Sequence, residues 1–102
     1  MVRFLVLYDQ PEDPEAFDRH YREVHIPLAK KLPGLRRYTI SRNARSVRGA
    51  DPYYLVAELD WDDMEALQRD FQSPAGQATA ADVQELAPEG KVRSLIYHLE
   101  EV

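Results

Sequence analysis

The sequence predicts an α+β fold in which helices cover one face of a four-stranded antiparallel sheet. Four segments are rich in strand-forming residues, and amphipathic helical segments separate them in the order β-α-β-β-α-β, with an extra helical turn before the last strand. This order is typical of the split βαβ, ferredoxin-like arrangement. A chain of 102 residues has the usual length of one compact domain, so we expect residues 1–102 to form a single domain.

The strand predictions rest on alternating side chains and on turn residues between the segments. In the first segment the even-numbered residues from Val2 to Tyr8 face one side, and in the third the odd-numbered residues from Tyr53 to Leu59 do so. The second segment leads into a turn at residues 46–52. The predicted strands are residues 2–8, 35–45, 52–61 and 91–102.

The fold is organised around one amphipathic helix, FDRHYREVHIPLAKKLPGL, at residues 17–35. Asp13–Pro14 is a favourable helix start, and Pro33–Gly34 is a favourable end. Most charges project away from the apolar side, so His25 should point into the core one turn after Tyr21. The predicted buried side comprises Phe17, Tyr21, Val24, His25, Leu28 and Leu32.

A proline inside this helix should disturb it next to the histidine. Pro27 has no N–H to donate to the carbonyl of Glu23, and its ring crowds that carbonyl. Proline also disfavours helical backbone angles at the residue before it, which is Ile26. We therefore expect a kink or break around His25, which would place its ring beside a helix end with free carbonyls.

Two more helical segments are expected between the third and fourth strands. Asp62 and Glu65 stand at capping-box spacing before an apolar pattern that runs from Met64 to Phe71. Ser73–Pro74 ends this helix and begins another, shorter one over residues 75–87.

The helices can cover only one face of the sheet, and the other face still carries large apolar and aromatic side chains. An exposed apolar patch of that size is not expected on a monomer. We therefore predict a homodimer in which the open sheet faces of two copies pack together.

Composition and charge limit the partners and the compartment. The net charge is −5, yet residues 24–50 contain seven basic residues and no carboxylate. We expect this basic stretch to be a solvated hairpin or a subunit contact. Nucleic-acid binding is not expected, because the stretch lacks an aromatic-rich RNA-binding pattern and the whole chain is acidic. The chain has no apolar run that could span a membrane, no recognisable secretory signal and no cysteine, so we expect a cytoplasmic protein without disulfides.

Two motifs of this chain resemble those of the EthD family, which is named for ethyl tert-butyl ether degradation. The first combines His25 and Pro27-Leu28 in the long helix with Leu32-Pro33-Gly34-Leu35 at its end. The second is FQSPAGQATAADV, at residues 71–83. Further matching positions, which extend the resemblance over most of the chain, are Tyr8, Pro11, Asp13, Phe17 and Tyr21.

The resemblance implies a dimeric α+β barrel, in which two ferredoxin-like subunits pack their sheets together and each keeps a small pocket between sheet and helices. It also implies chemistry without metal or organic cofactor, with His and Tyr as acid and base. Relatives include a protein needed for ether degradation and polyketide-tailoring enzymes that cyclise, dehydrate or decarboxylate aromatic precursors. Two functions are therefore open. One is a lyase, cyclase or isomerase for a small hydrophobic or aromatic carbonyl compound, and the other is a non-catalytic small-molecule binding or degradation-pathway accessory protein.

His25 matches the pocket histidine of the EthD family, and Tyr21 is the next candidate for a catalytic group. An imidazole beside a tyrosine hydroxyl suits proton abstraction next to a carbonyl. Asp82 is expected to pair with a basic group or to cap a helix end, and His20 and His98 are expected to be structural. The candidate substrate-binding residues are Tyr54, Trp61, Phe71 and Asp82, of which the first three also suit an ordinary core.

The sequence offers no recognisable metal site. His20 and His25 are five residues apart, which places them on different faces of a regular α-helix. No His-x₃-His pattern or carboxylate triad occurs, and no Gly-rich phosphate loop or nucleophile elbow is present.

We predict that the protein folds without any metal ion. Purified protein should carry no stoichiometric zinc, iron or manganese, and EDTA should leave the melting temperature unchanged. Metal analysis and thermal denaturation with and without the chelator measure this. A fall in melting temperature that depends on the chelator would contradict both this prediction and the cofactor-free interpretation.

Overall fold

Strands and helices follow one another along the chain in the computed structural model, which describes residues 1–49 and 51–102. The strands are β1 (Val2–Tyr8), β2 (Arg37–Arg42), β3 (Leu55–Trp61) and β4 (Val92–His98). The helices are α1 (Pro14–His20), α2 (Ile26–Ala29), α3 (Met64–Gln72) and α4 (Pro74–Leu86), and a π-helical segment at Tyr21–His25, called the π segment below, joins α1 to α2. None of the helices in the described ranges is long and apolar enough to cross a membrane.

The strands form one antiparallel sheet in the order β2-β3-β1-β4. β1 lies between β3 and β4, so Val2 pairs with Trp61 on one side and with His98 on the other. β1 has seven residues and pairs with seven residues of each neighbour, which makes β3 and β4 shorter than the predicted segments. The prediction of an α+β, ferredoxin-like fold with a four-stranded antiparallel sheet is confirmed.

The core lies between this sheet and the helices. The even-numbered residues of β1 and the odd-numbered residues of β3 face the helices, because successive side chains of a strand point to opposite faces. Fully burying a large apolar side chain stabilises a protein by roughly 1.5–3 kcal/mol, so this layer holds helices and sheet together. The largest fully buried side chains include Trp61, Tyr8, Tyr21, Leu55 and Leu67.

Short polar side chains begin the first and the last helix. Asp13 accepts the N–H of Ala16 at 3.1 Å and Pro14 follows, which confirms the predicted start of α1. The hydroxyl of Ser73 accepts the N–H of Gly76 at 3.1 Å and begins α4. With 13 residues against 9 in α3, α4 is the longer helix, so the expectation of a shorter one was wrong. Its many alanines favour helix propagation.

α3 begins one residue later than the capping-box spacing predicted. Asp63, rather than Asp62, caps it by accepting the N–H of Ala66 at 2.8 Å. The carboxylate of Asp62 instead binds the guanidinium of Arg36 at 2.8 Å on the surface. Of the two adjacent aspartates, Asp63 therefore caps α3 and Asp62 forms a surface ion pair.

The long helix does not break before Pro27. Ile26 keeps helical angles (φ −59°, ψ −47°), and its N–H donates to the carbonyl of Tyr21, five residues back. The expected break was therefore wrong, but the helix is disturbed at the predicted place, because the chain adds one residue to the turn that ends at His25 and continues as α2. Pro27 cannot make the α-helical bond to Glu23 in any case, and a wider turn gives its ring room beside that carbonyl.

The wider turn changes which side chains of the helix are buried. Phe17, Tyr21, His25 and Ala29 form one buried line at a spacing of four residues. In a regular α-helix, residues four apart differ in direction by about 40°, so four successive ones would gradually leave the buried side. The wider turn of the π segment compensates for this rotation and keeps them on one side. Val24, which was predicted to be buried, is 39 % exposed.

A buried carboxylate ties the turn after α2 to β3 and α3. Asp70 Oδ2 accepts the indole N–H of Trp61 at 2.7 Å and the backbone N–H of Gly34 at 2.9 Å. Both Asp70 and Trp61 are buried. These bonds fix the Pro33–Gly34 turn against the sheet.

The open face of the sheet is partly charged. Arg3 on β1 binds Glu58 and Asp60 on β3, with nitrogen–oxygen distances of 2.7 and 2.8 Å. Leu95 and Tyr97 on β4 lie on the same face and are 51 % and 36 % exposed. On this face the exposed apolar side chains lie mainly on β4, next to the ion pairs of β1 and β3.

The basic stretch at residues 24–50 is described except for residue 50, which lies outside the described residues together with that part of the predicted turn. Arg36 and Arg42 of this stretch bind carboxylates, the second at 3.3 Å from Asp18. Arg45 and Arg48 are exposed. Part of the positive charge is therefore neutralised within the chain.

We predict that Gly76→Ala strongly destabilises the protein. A Cβ at Gly76 would overlap the carbonyl oxygen of Asp70 and lie 2.7 Å from Cα of Phe71. Both are backbone atoms, so we expect a loss of about 3 kcal/mol or more in the free energy of unfolding, measured by urea denaturation.

Gly90→Ala is the control for this substitution. Gly90 has a φ of 89° and no neighbouring atom within 4 Å of the added Cβ. We therefore expect a conformational cost of only about 1–2 kcal/mol. Equal losses in the two variants would contradict the close packing of α3 and α4.

Candidate active site

A cavity of about 270 Å³ lies between the sheet and the helices. The four strands supply one wall, and the π segment, α3 and α4 supply most of the other. Its polar lining comprises Tyr8, Tyr21, His25, Tyr38, Thr79 and Ser94. Most of the remaining lining is apolar and includes Phe4, Val6, Ala57, Leu59, Phe71 and Val83.

His25 belongs to the π segment, and its ring binds α4. Nδ1 of His25 lies 3.0 Å from Oδ2 of Asp82, and both side chains are buried. An ionised carboxylate can only accept hydrogen bonds, so Nδ1 carries the proton and donates it. Nε2 then keeps its lone pair, and His25 is one of the residues that line the cavity.

His20 binds the other oxygen of the same carboxylate. Its Nε2 lies 2.8 Å from Oδ1 of Asp82. Two residues five apart point in different directions in a regular α-helix, but the π segment adds a residue to the turn and brings both rings to Asp82. The expectation that His20 and His25 lie on different faces was therefore wrong. Asp82 does pair with basic groups, and it reaches the cavity only through His25.

Two tyrosines form a second polar group in the cavity wall. The hydroxyl oxygens of Tyr21 and Tyr38 are 2.6 Å apart. One hydroxyl donates to the other, so the pair keeps one O–H for a bound molecule. The ring of Tyr21 lies 5.1 Å from that of His25, which makes the pair and the imidazole neighbours.

Tyr8 adds a third hydroxyl to the cavity. Its ring packs edge-on against Phe17 and Tyr21, with centroid distances of 5.3 and 5.9 Å. Among the described residues the hydroxyl of Tyr8 has no hydrogen-bond partner, although the residue is buried. Because Tyr8 lines the cavity, its hydroxyl can donate a hydrogen bond to a bound ligand.

Burial shifts the pKa of the imidazole and the pKa values of the tyrosines in opposite directions. It is the main cause that lowers the pKa of His25, and it outweighs the opposite effect of Asp82. Burial raises the pKa of Tyr38 to about 12 and also raises the pKa of Tyr8 and of Tyr21. At neutral pH the imidazole is therefore an unprotonated base, and the tyrosines are O–H donors.

The other predicted binding residues lie in different surroundings. Phe71 lines the cavity. Trp61 packs edge-on against Phe71 at 5.6 Å and donates to Asp70, and the hydroxyl of Tyr54 lies 2.9 Å from Asp18. Contrary to expectation, Tyr54 and Trp61 are not part of the cavity lining, because hydrogen bonds hold them elsewhere.

Three residues of the site were missed at the level of sequence, namely Tyr8, Tyr38 and His20. Alternation along β1 and β2 was a usable signal for the two tyrosines, since Tyr38 pairs with Leu59 and shares its helix-facing side. His20 had no such signal. Its position depends on the π segment, which breaks the helical spacing used to interpret the sequence.

Two histidines beside one carboxylate raise the question of a metal ion. Among the residues that the structure describes, no group of three His, Cys, Asp or Glu side chains is arranged to hold one. The two rings meet separate oxygens of Asp82 and do not converge on a common point. The statement that the protein needs no metal stays a prediction.

Fold and site together define a small ferredoxin-like protein with an internal cavity built from histidine and tyrosine. The model of the EthD domain matches residues 9–89. An uncharacterised 11.0 kDa protein from the thcB-thcC intergenic region of Rhodococcus erythropolis is 36 % identical over 91 residues, which cover 88 % of this chain and 87 % of that protein. The chain therefore belongs to the EthD family, as its motifs predicted.

Solved structures share the fold. An EthD family protein from Bacillus halodurans has a TM-score of 0.88 and 37 % identity, with 98 % of this chain and 99 % of that chain covered. Two less similar proteins share the fold alone. A dimeric ferredoxin-like protein from Jannaschia has a TM-score of 0.72 and 17 % identity, with coverage of 96 % and 98 %. SnoaB, a cofactor-independent oxygenase from Streptomyces nogalater, has a TM-score of 0.68 and 19 % identity, with coverage of 99 % and 94 %.

Proposed function

We propose that the cavity binds a small, largely apolar carbonyl compound and that His25 moves a proton from and to it. The observation that carries this proposal is one cavity that combines a neutral imidazole, with Nε2 free, and tyrosine O–H groups. Such a combination can remove a proton next to a carbonyl and stabilise the enolate that forms. This proton transfer is the step that reactions of the lyase, cyclase and isomerase types can share.

The size and lining of the cavity favour a small ligand with one ring. A volume of about 270 Å³ is just below the roughly 300–1,000 Å³ of sites for drug-sized molecules. Phe4 and Phe71, whose rings are 5.0 Å apart, offer edge and face contacts to an aromatic ring. An aryl ketone places its ring against this apolar wall and its oxygen toward the tyrosines.

The proposed step uses groups that already meet in the cavity. Nε2 of His25 takes a proton from the carbon next to the carbonyl, and the electron pair of that C–H bond moves onto the carbonyl oxygen. The resulting enolate oxygen accepts hydrogen bonds from Tyr8 and from the free O–H of the Tyr21–Tyr38 pair. Nδ1 of the imidazolium keeps its hydrogen bond to Asp82, and return of the proton to carbon completes the exchange.

A non-catalytic binding protein is the second candidate. The observation that favours it is that Tyr21 is fully buried and already bonded to Tyr38, as in an ordinary core. In that case the cavity takes the same class of ligand without exchanging its protons. The fold alone does not separate the two functions, since it also occurs in an oxygenase.

We predict that the protein accelerates deuterium exchange at the methyl group of acetophenone in D₂O and that His25→Asn removes this acceleration. The amide nitrogen of asparagine takes the place of Nδ1 and can donate to Asp82, while the base Nε2 is lost. Positioned general bases typically contribute about 10²–10⁴-fold, so the exchange rate should fall by about that factor. Proton NMR of the methyl signal measures the rate.

Val24→Ala is the matched control, because Val24 lies on the exposed side of the same π segment. It should exchange like the wild type, and thermal denaturation should show that both variants are folded. Loss of exchange in His25→Asn with a nearly unchanged melting temperature supports the base. A destabilised His25→Asn protein that still accelerates exchange would end the proposal, and wild-type binding without exchange would favour the binding protein.

We also propose that two copies associate through their open sheet faces. Leu95, Tyr97 and Leu99 are large apolar side chains on or just after β4, and each is more than a third exposed. The Jannaschia protein, which shares the fold, is dimeric, and this supports the association of two copies. Stable interfaces bury about 1,600 Å² in total, which an open sheet face can supply.

Leu95→Lys should therefore convert the dimer into a monomer of 11.8 kDa, because it buries a charge in the contact. Sedimentation equilibrium at micromolar protein measures the mass. Val47→Lys is the control, since Val47 is 92 % exposed in the loop after β2, and it should leave the dimer intact. A wild-type protein that sediments as one 11.8 kDa species refutes the dimer.

A further inference from the structure

His20 connects Asp82 to a second, outer cleft. This cleft has a volume of about 420 Å³ and is formed by the loop after β1, by α1 and by the end of α4. The side chain of His20 lines it and is 33 % exposed, whereas that of His25 is 7 % exposed. One buried carboxylate is thus held between a ring that reaches solvent and a ring that faces the cavity.

The two rings divide the oxygens of Asp82 between them. Oδ1 accepts a hydrogen bond from Nε2 of His20 at 2.8 Å, and Oδ2 accepts one from Nδ1 of His25 at 3.0 Å. A carboxylate with only 9 % of its side chain exposed needs donors or a positive charge to remain ionised. His20 supplies a hydrogen-bond donor to Oδ1, the oxygen that His25 does not contact.

A positive charge is more favourable on the outer ring than on the inner one. One imidazolium balances Asp82, whereas two would place like charges on either side of a single carboxylate. The ring of His20 keeps contact with water when it is charged, and the ring of His25 does not. The charge of His20 also lowers the pKa of His25, in addition to the larger effect of burial.

We propose that His20 is a positioning residue for His25: it keeps Asp82 ionised and takes the balancing proton, so that the cavity imidazole stays neutral with Nε2 free. This inference rests on the proposed function of His25 as a base, and it identifies what holds that base in its working form. His20 would also couple the protonation of His25 in the cavity to the charge in the outer cleft.

Other ionisable groups surround this unit and fit the same distribution of charge. From the cavity side Tyr8, Tyr21 and Tyr38 face it, and they stay neutral because burial raises the pKa of each. On the cleft side carboxylates outnumber Lys91. The carboxylates that line the cleft are Asp9, Glu12, Asp13 and Glu85.

The variant His20→Gln separates the hydrogen bond from the charge. The amide nitrogen of glutamine lies about where Nε2 of histidine does and can donate to Oδ1 of Asp82, but it cannot be protonated. Long-range ¹H–¹⁵N NMR of the His25 ring follows its protonation without any ligand. We expect His25 to gain its proton at a higher pH in His20→Gln than in the wild type, because the repulsion from a charged His20 is gone.

His98→Gln is the matched control. His98 is exposed and pairs with Val2, at the end of β1 opposite to Tyr8, so its loss should leave the titration of His25 unchanged. Coincident His25 titrations in His20→Gln and the wild type would overturn the proposal. A neutral His25 that carries its proton on Nε2 would overturn it as well.

The acetophenone exchange assay adds a readout that a purely structural His20 would not move. The low-pH limb of its rate profile should shift to higher pH in His20→Gln, in step with the NMR titration, while the rate at high pH stays the same. An NMR shift without any exchange by the wild type supports the role of His20 and refutes the proposed reaction. The two proposals can therefore fail separately.

Discussion

The wide turn in front of Pro27 is the constraint on which the site depends. Because proline cannot donate to the carbonyl four residues back, the helix gains one residue there and continues. That single residue keeps Tyr21 and His25 on one buried line and brings His20 and His25 to opposite oxygens of Asp82. A regular α-helix would carry one ring to the carboxylate and turn the other away.

The sheet supplies the tyrosines of the site. Burial of the site then makes the imidazole a base and keeps the tyrosines protonated. The neighbouring strands β1, β3 and β2 place Tyr8 and Tyr38 on the face that meets the π segment. Removal of water disfavours every charged form, so it lowers the pKa of an imidazole and raises that of a phenol. One physical property thus produces a base and its hydrogen-bond donors in the same cavity.

The parts of this structure that local patterns determine could be predicted, and those that distant contacts determine could not. Strand alternation and helical spacing placed the sheet, the long helix and the inward-facing His25. The local rule for Pro27 predicted a kink or break around His25 but not a π turn that continues the helix, because the rule contains nothing about Asp82, which is 57 residues away from His25. Apolar character also could not distinguish Phe71, which lines the cavity, from Trp61, which a buried carboxylate holds in the core.

The tautomer of His25 decides whether the cavity contains a base. Neutron diffraction from crystals exchanged into D₂O near neutral pH locates the ring deuterium directly. We expect a deuterium on Nδ1, within the hydrogen bond to Asp82, and none on Nε2. A deuterium on Nε2, with Nδ1 bare and the proton of that hydrogen bond on Asp82, would contradict this structure-based assignment of the site.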